Sequence, residues 1–270
     1  MVATADGSSS VTDIAAGSQT RPRLSVIIIA FNEIHHIEAC LASVSFADEI
    51  VVVDSGSTDG TIERARELGA RVTVTDDWPG FGPQKNRALD LATGDWILSL
   101  DADERVTPEL AREIQQTMAQ PAFDAYAMAR LSEFVGRPMR HCGWWPDHLL
   151  RLFRRGRARF SNDVVHESIQ ADGATGLLKH HLLHYPYPDI ESLLVKMNRY
   201  STAGAQKMHQ RGKRTSVFGA LGHGFWTFVR IYIMRRGFLD GRQGLVVACA
   251  GAAGSFFRYA KLIELQNKKP

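Results

Sequence analysis

Apolar residues in the first 120 positions form short unbroken runs that alternate with helix-like segments. Four strands are predicted, at Leu24–Ala30 (LSVIIIA), Glu49–Val53 (EIVVV), Arg71–Thr75 and Asp95–Leu100 (DWILSL). Unbroken β-branched runs are typical of strands buried on both faces, as in a parallel sheet. The segments between them predict crossover helices at Ile34–Val44, Gly60–Leu68 and Gln84–Leu91, with Trp78–Pro83 as a loop. The first half therefore predicts a parallel α/β sheet flanked by helices.

The pattern changes after residue 120. A helix from Pro108 to about Ala119 is followed by three short predicted strands, at Ala125–Arg130, Leu149–Phe153 and Val164–Ile169. Asp189 is placed to cap a long helix that runs to about Arg211. We divide the chain into a disordered lead-in (1–22), an α/β domain (23–188) and a helical, basic C-terminal region (189–270).

Composition excludes several classes of protein. Hydrophobic residues make up 44% and charged residues 23% of the 270 positions, as in globular proteins. Cys40, Cys142 and Cys249 stand far apart, which argues against a disulfide scaffold and fits a reducing compartment. The most apolar stretch, Gly244–Phe257, has 14 residues and is too short to span a bilayer alone.

Charge is distributed unevenly along the chain. Residues 196–270 hold 14 Lys and Arg against two acids, whereas the remainder has more acids than bases. A basic tail on an acidic body indicates an anionic partner, either a membrane surface or nucleic acid.

Three polar clusters follow predicted strands: Ala30-Phe31-Asn32-Glu33, Asp54–Asp59 and Asp101-Ala102-Asp103. Ligands of open parallel sheets bind at the carboxyl ends of the strands. A carboxylate such as Asp54 can accept hydrogen bonds from a base or a ribose, and the D-x-D pair can reach a divalent cation and a sugar hydroxyl. Taken singly, Asp54–Gly60 is equally compatible with a turn and helix cap, and a lone D-x-D is usually a surface feature.

Taken together, SVIIIAFNE, VVVDSGSTDGT and ATGDWILSLDADE resemble the nucleotide-sugar-binding half of family 2 glycosyltransferases, which have the GT-A fold. Later segments, among them GWWPDHLLRLFRR and KMNRYSTAGA, are similar to the subgroup that glucosylates heptose in the lipopolysaccharide core. The family resemblance is strong over about residues 24–115, and the subgroup resemblance covers most of the rest.

The resemblance implies roles for individual residues. Donor binding falls to Ala30, Asn32, Glu33, Asp54, Ser57, Lys85, Arg87, Asp101 and Asp103. Within this set, Asp54 contacts the base, Lys85 and Arg87 stand near the base and diphosphate, and Asp101 binds a ribose or sugar hydroxyl. Asp103 ligates Mg²⁺ or Mn²⁺ with Asp101 beside it, and His184 completes the metal shell.

Inverting transfer also needs a carboxylate that deprotonates the acceptor hydroxyl. The usual Glu-Asp pair of the family is missing, and the candidates are Glu167 and Asp147, with Glu167 favoured. An ordinary ion pair with one of the nearby arginines is the alternative for either residue. A zinc site at His180, His181 and His184 is disfavoured because no acidic or cysteine ligand has the required spacing.

The tail segment Phe225–Arg236 mixes aromatic residues with arginines, which suits a helix lying in a membrane interface. An amphipathic helix packed on the α/β domain is the alternative, and nucleic acid is disfavoured because no nucleic-acid motif is present.

These observations predict a metal-dependent, inverting hexosyltransferase that moves one sugar from a nucleotide-sugar, most simply a UDP-sugar, to a saccharide of lipopolysaccharide core or another lipid-linked glycan. It would work in the cytoplasm, peripherally at the inner face of the cytoplasmic membrane. A sugar nucleotidyltransferase and a non-catalytic, nucleotide-sugar-binding membrane protein are the rival hypotheses.

Overall fold

The computed structural model describes residues 21–161 and 168–267. The predicted lead-in lies outside these residues except for positions 21 and 22, and most of the strand predicted at Val164–Ile169 also lies outside them. Four parallel strands form one half of the main sheet, in the order β3-β2-β1-β4. They are β1 Leu24–Ala30, β2 Glu49–Asp54, β3 Arg71–Val74 and β4 Trp96–Asp101. The prediction of a parallel α/β sheet is confirmed.

Burial on both faces explains the unbroken apolar runs. Side chains of β1 alternate between two layers: Val26 and Ile28 pack in one buried cluster, and Ile27 packs in another. The first layer is closed by α1 and α4, and the second by α3. The helices are α1 Ile34–Ser43, α2 Thr61–Glu67, α3 Phe81–Leu91 and α4 Pro108–Ala119. Because α3 begins at Phe81, the predicted loop over Trp78–Pro83 is too long.

The second half of the sheet is mixed and continues from β4 in the order β8-β6-β11-β5. Its strands are β5 Glu104–Val106, β6 Ala125–Phe134, β7 Arg137–Pro138, β8 Asp147–Arg154 and β11 Thr175–His184, and β9 Ala158–Phe160 pairs with β10 Ile169–Ala171 outside this sheet. The sequence patterns predicted β6 and β8 but missed the ten-residue strand β11. This strand lies parallel to β6 and ends beside β5.

Helices form the C-terminal part of the chain. They are α5 Ile190–Gln210, α6 Val217–Phe228, a π-helical segment Val229–Met234, a 3-10 turn Gly237–Asp240 and α7 Gly241–Asn267. The predicted cap of α5 is confirmed, because the Asp189 carboxylate accepts a hydrogen bond from the amide of Ser192 at 2.7 Å. A buried cluster that includes Phe134, Leu193 and Val247 joins these helices to the sheet. The division of the chain at residue 188 stays a prediction.

One helix among the described residues, Gly237–Asn267, is long and apolar enough to cross a membrane by length and composition. The 14-residue apolar run did not predict this, because the helix extends beyond the run at both ends. Inside the protein, α7 packs closely on other helices: a Cβ placed on Gly254 would lie 2.8 Å from Met197 of α5. Packing between helices is therefore a second reason for its small, apolar residues.

Candidate active site

A cleft of about 320 Å³ opens at the carboxyl ends of β1 and β4. The two strands are hydrogen-bonded neighbours and run in the same direction, so the residues that follow them meet at one edge of the sheet. Six of the sequence-predicted site residues line this cleft: Ala30, Glu33, Lys85, Asp101, Asp103 and His184. Residues far apart in the sequence thus form a single site.

Asp101 is held between two cations at the base of the cleft. Lys85 Nζ lies 2.8 Å from one carboxylate oxygen, and Arg151 Nη2 lies 2.7 Å from the other. Burial alone would raise the pKa of Asp101, but Arg151 and Lys85 outweigh it and hold that pKa well below its ordinary value. Asp101 is therefore ionised, and both of its oxygens are already engaged by protein cations.

Glu104, which the sequence reasoning missed, supports this arrangement from below. Its side chain is fully buried and lies 2.6 Å from Arg151 and 3.2 Å from Arg130. Its other oxygen accepts a hydrogen bond from the Asp101 amide at 3.0 Å. The signal in the sequence that could have identified Glu104 is its position directly after D-A-D. Glu104 fixes the turn that carries both aspartates.

Asp103 faces a histidine across the cleft. Its carboxylate lies 3.4 Å from His184 Nε2, and the Nδ1 of the same ring lies 2.8 Å from the Ser132 hydroxyl. Burial would raise the pKa of Asp103, but the hydrogen bond and charge of His184 outweigh it and lower that pKa. Nδ1 is thus engaged by Ser132, while Nε2 faces Asp103.

This pair is the part of the cleft that suits a divalent cation. A carboxylate oxygen and an imidazole nitrogen are chemically appropriate ligands for Mn²⁺ or Mg²⁺. Among residues 21–161 and 168–267 no cluster of three or more potential ligands occurs, so two ligands at most come from this part of the chain as it stands. The engagement of Asp101 by Lys85 and Arg151 leaves Asp103 and His184 as the better-placed ligands.

Comparison with known proteins identifies the family of this chain. The family model described as Glycosyl transferase family 2 matches residues 25–179, which include the whole parallel half of the sheet and the D-x-D turn. The chain belongs to glycosyltransferase family 2. The fold described above is accordingly of the GT-A type.

Curated relatives extend the match over nearly the whole chain. An uncharacterized glycosyltransferase of Rickettsia typhi is 33% identical over 266 residues, covering 91% of this chain and 88% of the relative. The lipopolysaccharide core biosynthesis glycosyltransferase LpsC of Rhizobium meliloti is 30% identical over 253 residues, covering 89% of this chain and 92% of LpsC.

Among solved structures, glucosyl-3-phosphoglycerate synthase from Mycobacterium tuberculosis is 28% identical, with a TM-score of 0.36. The match covers 42% of this chain and 44% of that one. A likeness this low carries no argument about the site.

In this glycosyltransferase, polar groups of the turn after β2 form hydrogen bonds with one another. The fully buried Asp54 carboxylate accepts hydrogen bonds from the amides of Gly56 and Ser57 at 2.9 and 2.7 Å, and from the Ser57 hydroxyl at 2.6 Å. Ser57 Oγ also accepts the Asn32 amide, and the Asn32 side chain accepts the Thr58 amide. Asn32, expected in donor binding, joins the ends of β1 and β2 through these hydrogen bonds. None of these residues lines the cleft.

Arg87 lies outside the cleft as well. Its guanidinium forms two hydrogen bonds of 2.7 Å with the Asp77 carboxylate and a third, of 3.0 Å, with Gln84. Lys85, two residues earlier in α3, is directed to the opposite side, towards Asp101. The two basic residues predicted to act together on the donor therefore have different surroundings.

The Glu33 carboxyl, which lines the cleft, has a raised pKa. Burial, together with the charges of Asp103, Asp59 and Asp101, raises the pKa of its carboxyl from 4.5 to about 7. The protein therefore holds a carboxyl that changes charge near neutral pH beside the D-x-D turn.

Asp147, one of the two candidate bases, is paired with Arg130. Its carboxylate lies 2.8 Å from the Arg130 guanidinium, and the two residues face each other across β8 and β6. Arg130 also lines the cleft and contacts Glu104. The ion pair considered as the alternative for Asp147 is therefore present. Glu167, the favoured base, lies outside the described residues.

Three further cleft residues escaped the sequence reasoning. Trp78 and Phe81 form an edge-to-face pair with ring centroids 4.9 Å apart, and half of each side chain is exposed. Lys196 reaches the cleft from α5. Exposed aromatic rings at a cleft suit stacking on a base or a sugar, and the signal for them was the D-D-W-P-G-F segment, interpreted only as a loop.

The remaining histidines do not form a cluster. His180 pairs with Glu113 of α4 at 3.1 Å, whereas His181 packs edge-on against Trp145. Their separate partners argue against a shared zinc site with His184.

Proposed function

We propose that this glycosyltransferase transfers one hexose, with inversion, from a nucleotide-sugar to a saccharide acceptor of lipopolysaccharide core or another lipid-linked glycan. The observation that carries the proposal is the cleft in which Asp101, Asp103 and His184 meet at the ends of β1, β4 and β11. The similarity to LpsC, a lipopolysaccharide core biosynthesis glycosyltransferase, supports the choice of acceptor class.

On the donor side, different cleft residues have different roles. Lys85 and Arg151 neutralise Asp101 and fix its carboxylate, which is then placed to accept hydrogen bonds from a ribose or sugar hydroxyl. Trp78 and Phe81 offer ring surfaces at the cleft, where a base or sugar can stack. A UDP-sugar is the simplest donor for such a site.

Asp103 and His184 would hold the divalent metal. When bound, Mn²⁺ or Mg²⁺ supplies positive charge that stabilises the leaving nucleoside diphosphate. Ser132 contributes by orienting the imidazole of His184 through its 2.8 Å contact.

The base that deprotonates the acceptor hydroxyl is Glu167 or Asp147. Asp147 starts β8, but its Oδ2 accepts two hydrogen bonds from the Arg130 guanidinium and is engaged in that ion pair. This engagement favours Glu167.

We place the enzyme at the inner face of the cytoplasmic membrane, bound peripherally. α6 exposes apolar side chains, Phe218 and Phe225 among them, and the segment that follows it in the chain carries Arg230, Arg235 and Arg236. Apolar contacts flanked by cations suit an anionic bilayer surface.

The experiment is donor consumption and transfer with a panel of nucleotide-sugars, in Mn²⁺, Mg²⁺ or chelator, with a membrane lipid extract as acceptor. We expect one donor to be consumed only with metal, and Asp103→Asn to lower turnover about 100-fold or more. Asp90→Asn, on the exposed face of α3, is the matched control.

Glu167→Gln and Asp147→Asn are then compared with that donor, and loss of turnover identifies the base. Turnover that survives chelator and Asp103→Asn would refute the metal assignment. Donor binding without any turnover would favour the non-catalytic hypothesis, and diphosphate release from a nucleoside triphosphate would favour the nucleotidyltransferase.

A further inference from the structure

A second cavity of about 320 Å³ lies beside the catalytic cleft. It is enclosed by α5, the π-helical segment and α7, together with Trp144 and Tyr187 from the preceding chain. Lys196 lines both the cleft and this cavity, so the two spaces adjoin at one side chain. A molecule seated in the cavity can therefore extend towards the donor sugar.

The cavity combines aromatic surfaces with small residues. Trp144 and Tyr187 have ring centroids 5.8 Å apart, and Tyr200 adds a third aromatic side chain. Gly251 and Gly254 of α7 also line the cavity and let Ile231 and Met197 pack closely on this helix, since a Cβ there would lie 2.6 and 2.8 Å from them. Flat aromatic rings that line a cavity suit the faces of a sugar ring.

Among the described residues, the charged side chains that line the cavity are all basic. They are Lys196, Arg230 and Arg258. The Lys196 ammonium lies 4.9 Å from the centroid of the Tyr187 ring, which holds it at the junction with the cleft. Gly204 of α5 accommodates the Arg258 side chain, since a Cβ there would lie 2.8 Å from Arg258 Nε. The arginine is thereby positioned against the helix beside the cavity.

We propose that this cavity binds the acceptor, and that the acceptor is a saccharide that carries a phosphate or carboxylate group. This proposal rests on the proposed function and specifies its acceptor. The aromatic rings contact the sugar, and the three cations bind its anionic group. The reacting hydroxyl then extends past Lys196 into the catalytic cleft.

Two features distinguish this cavity from a general membrane contact. The cations line a concave space with aromatic walls, whereas the most exposed apolar residues, such as Phe218, belong to α6 and do not line it. A concave, partly aromatic, cationic space fits a compact anionic solute better than a flat bilayer surface.

The test measures binding of mannose 6-phosphate and of mannose by saturation-transfer NMR, with UDP and Mg²⁺ present to occupy the donor cleft. We expect the phosphorylated sugar to bind at least about tenfold more tightly than mannose. Arg230→Gln with Arg258→Gln should remove that preference. Arg242→Gln, an exposed arginine of α7 outside the cavity, is the matched control and should leave it within about twofold.

In transfer assays the double variant should raise the KM for lipid-extract acceptor about tenfold or more, and should raise it by a larger factor than it lowers kcat. Equal binding of mannose and mannose 6-phosphate by the wild type would overturn the proposal. So would a double variant that loses only binding to phosphatidylglycerol vesicles, because the arginines would then serve lipid headgroups. Sugar-phosphate binding without any donor turnover would refute the proposed function alone.

Discussion

Buried charges in the sheet and cavity-lining charges in the C-terminal helices are arranged differently. Beneath the cleft, Arg151 contacts Asp101 and Glu104, and all three side chains are largely shielded from water. Burial would lower the pKa of Arg151, but the two carboxylates outweigh it and raise that pKa, so the guanidinium stays charged. Each cation in this group has a carboxylate within ion-pair distance.

In the helices, Arg230 and Arg258 are exposed and line a cavity in which no acidic residue of 21–161 or 168–267 takes part. Long side chains in water gain little from single ion pairs, so pairing is not required to keep them charged there. Their charge is available to a bound anion.

The difference separates two uses of charge. Paired, buried ions cost desolvation energy and are stable only with good geometry, so they hold the D-x-D turn in one conformation. Cations at a solvent-accessible cavity keep their hydration until a ligand replaces it. The first group would position the catalytic residues, and the second would select the acceptor.

Glu104→Gln is the strongest test of the buried group. Because Gln removes one of the two carboxylates that balance the buried Arg151, we expect the free energy of unfolding to fall by about 3–5 kcal/mol. Urea denaturation followed by circular dichroism measures this change. Turnover should also fall, since the Asp101 amide loses its anionic acceptor.

Glu109→Gln provides the matched control for this loss. Glu109 pairs with Arg112 on the surface of α4, with more than half of both side chains exposed, and should contribute about 0.5 kcal/mol or less. Equal effects of the two substitutions would show that the buried network does not hold the turn.

Much of the parallel sheet was predictable from sequence. β1 was predicted with its observed bounds, Leu24–Ala30, because a strand covered by helices on both faces must be apolar throughout. The cleft was predictable for the same reason: carboxyl ends of parallel neighbours meet at one edge, which brings Glu33 and Asp101 together.

The ion pairs beneath the cleft were not predictable. Arg151 meets Glu104 from 47 positions away, and nothing local in either segment specifies the other. The missed strand β11 has a mixed pattern of leucines and histidines, because only some of its side chains are buried. Local pattern therefore predicted the elements, while pairing between distant elements fixed the partners of Asp101, Glu104 and Asp147.

The exposed aromatic side chains of α6 predict that the C-terminal helices bind a membrane. Phe218 and Phe225 are 85% and 71% exposed and lie seven residues apart, on one face of α6. Replacing both by Ser should weaken binding to phosphatidylglycerol vesicles about tenfold or more, because each buried aromatic ring contributes about 1.5–3 kcal/mol when fully inserted. Co-sedimentation with vesicles measures the change.

Leu177→Ser is the control for this pair. Leu177 is 61% exposed but belongs to β11 in the sheet, so its loss should leave vesicle binding unchanged. Binding of the wild type should weaken as salt is raised, because the basic residues contribute through screened electrostatics. Vesicle binding that changes neither with salt nor with replacement of both phenylalanines would show that the membrane contact lies elsewhere.

The smallest expected effect concerns Glu33, whose carboxyl is near the paired charges but titrates near neutral pH. Its pKa is raised to about 7 from 4.5, so protonation favours the folded state. That stabilisation is fully present below about pH 4.5 and is lost as the pH rises through 7. Glu33→Gln removes the titration.

We therefore expect the Tm of Glu33→Gln, relative to wild type, to rise by roughly 2–4 °C between pH 5 and pH 8 in chelator. Differential scanning calorimetry across this range measures the difference. Glu38→Gln, with its exposed carboxylate on α1, should give parallel curves. A Glu33→Gln difference independent of pH would mean that Glu33 is already ionised at pH 5, and that the acids around the D-x-D turn do not share one electrostatic environment.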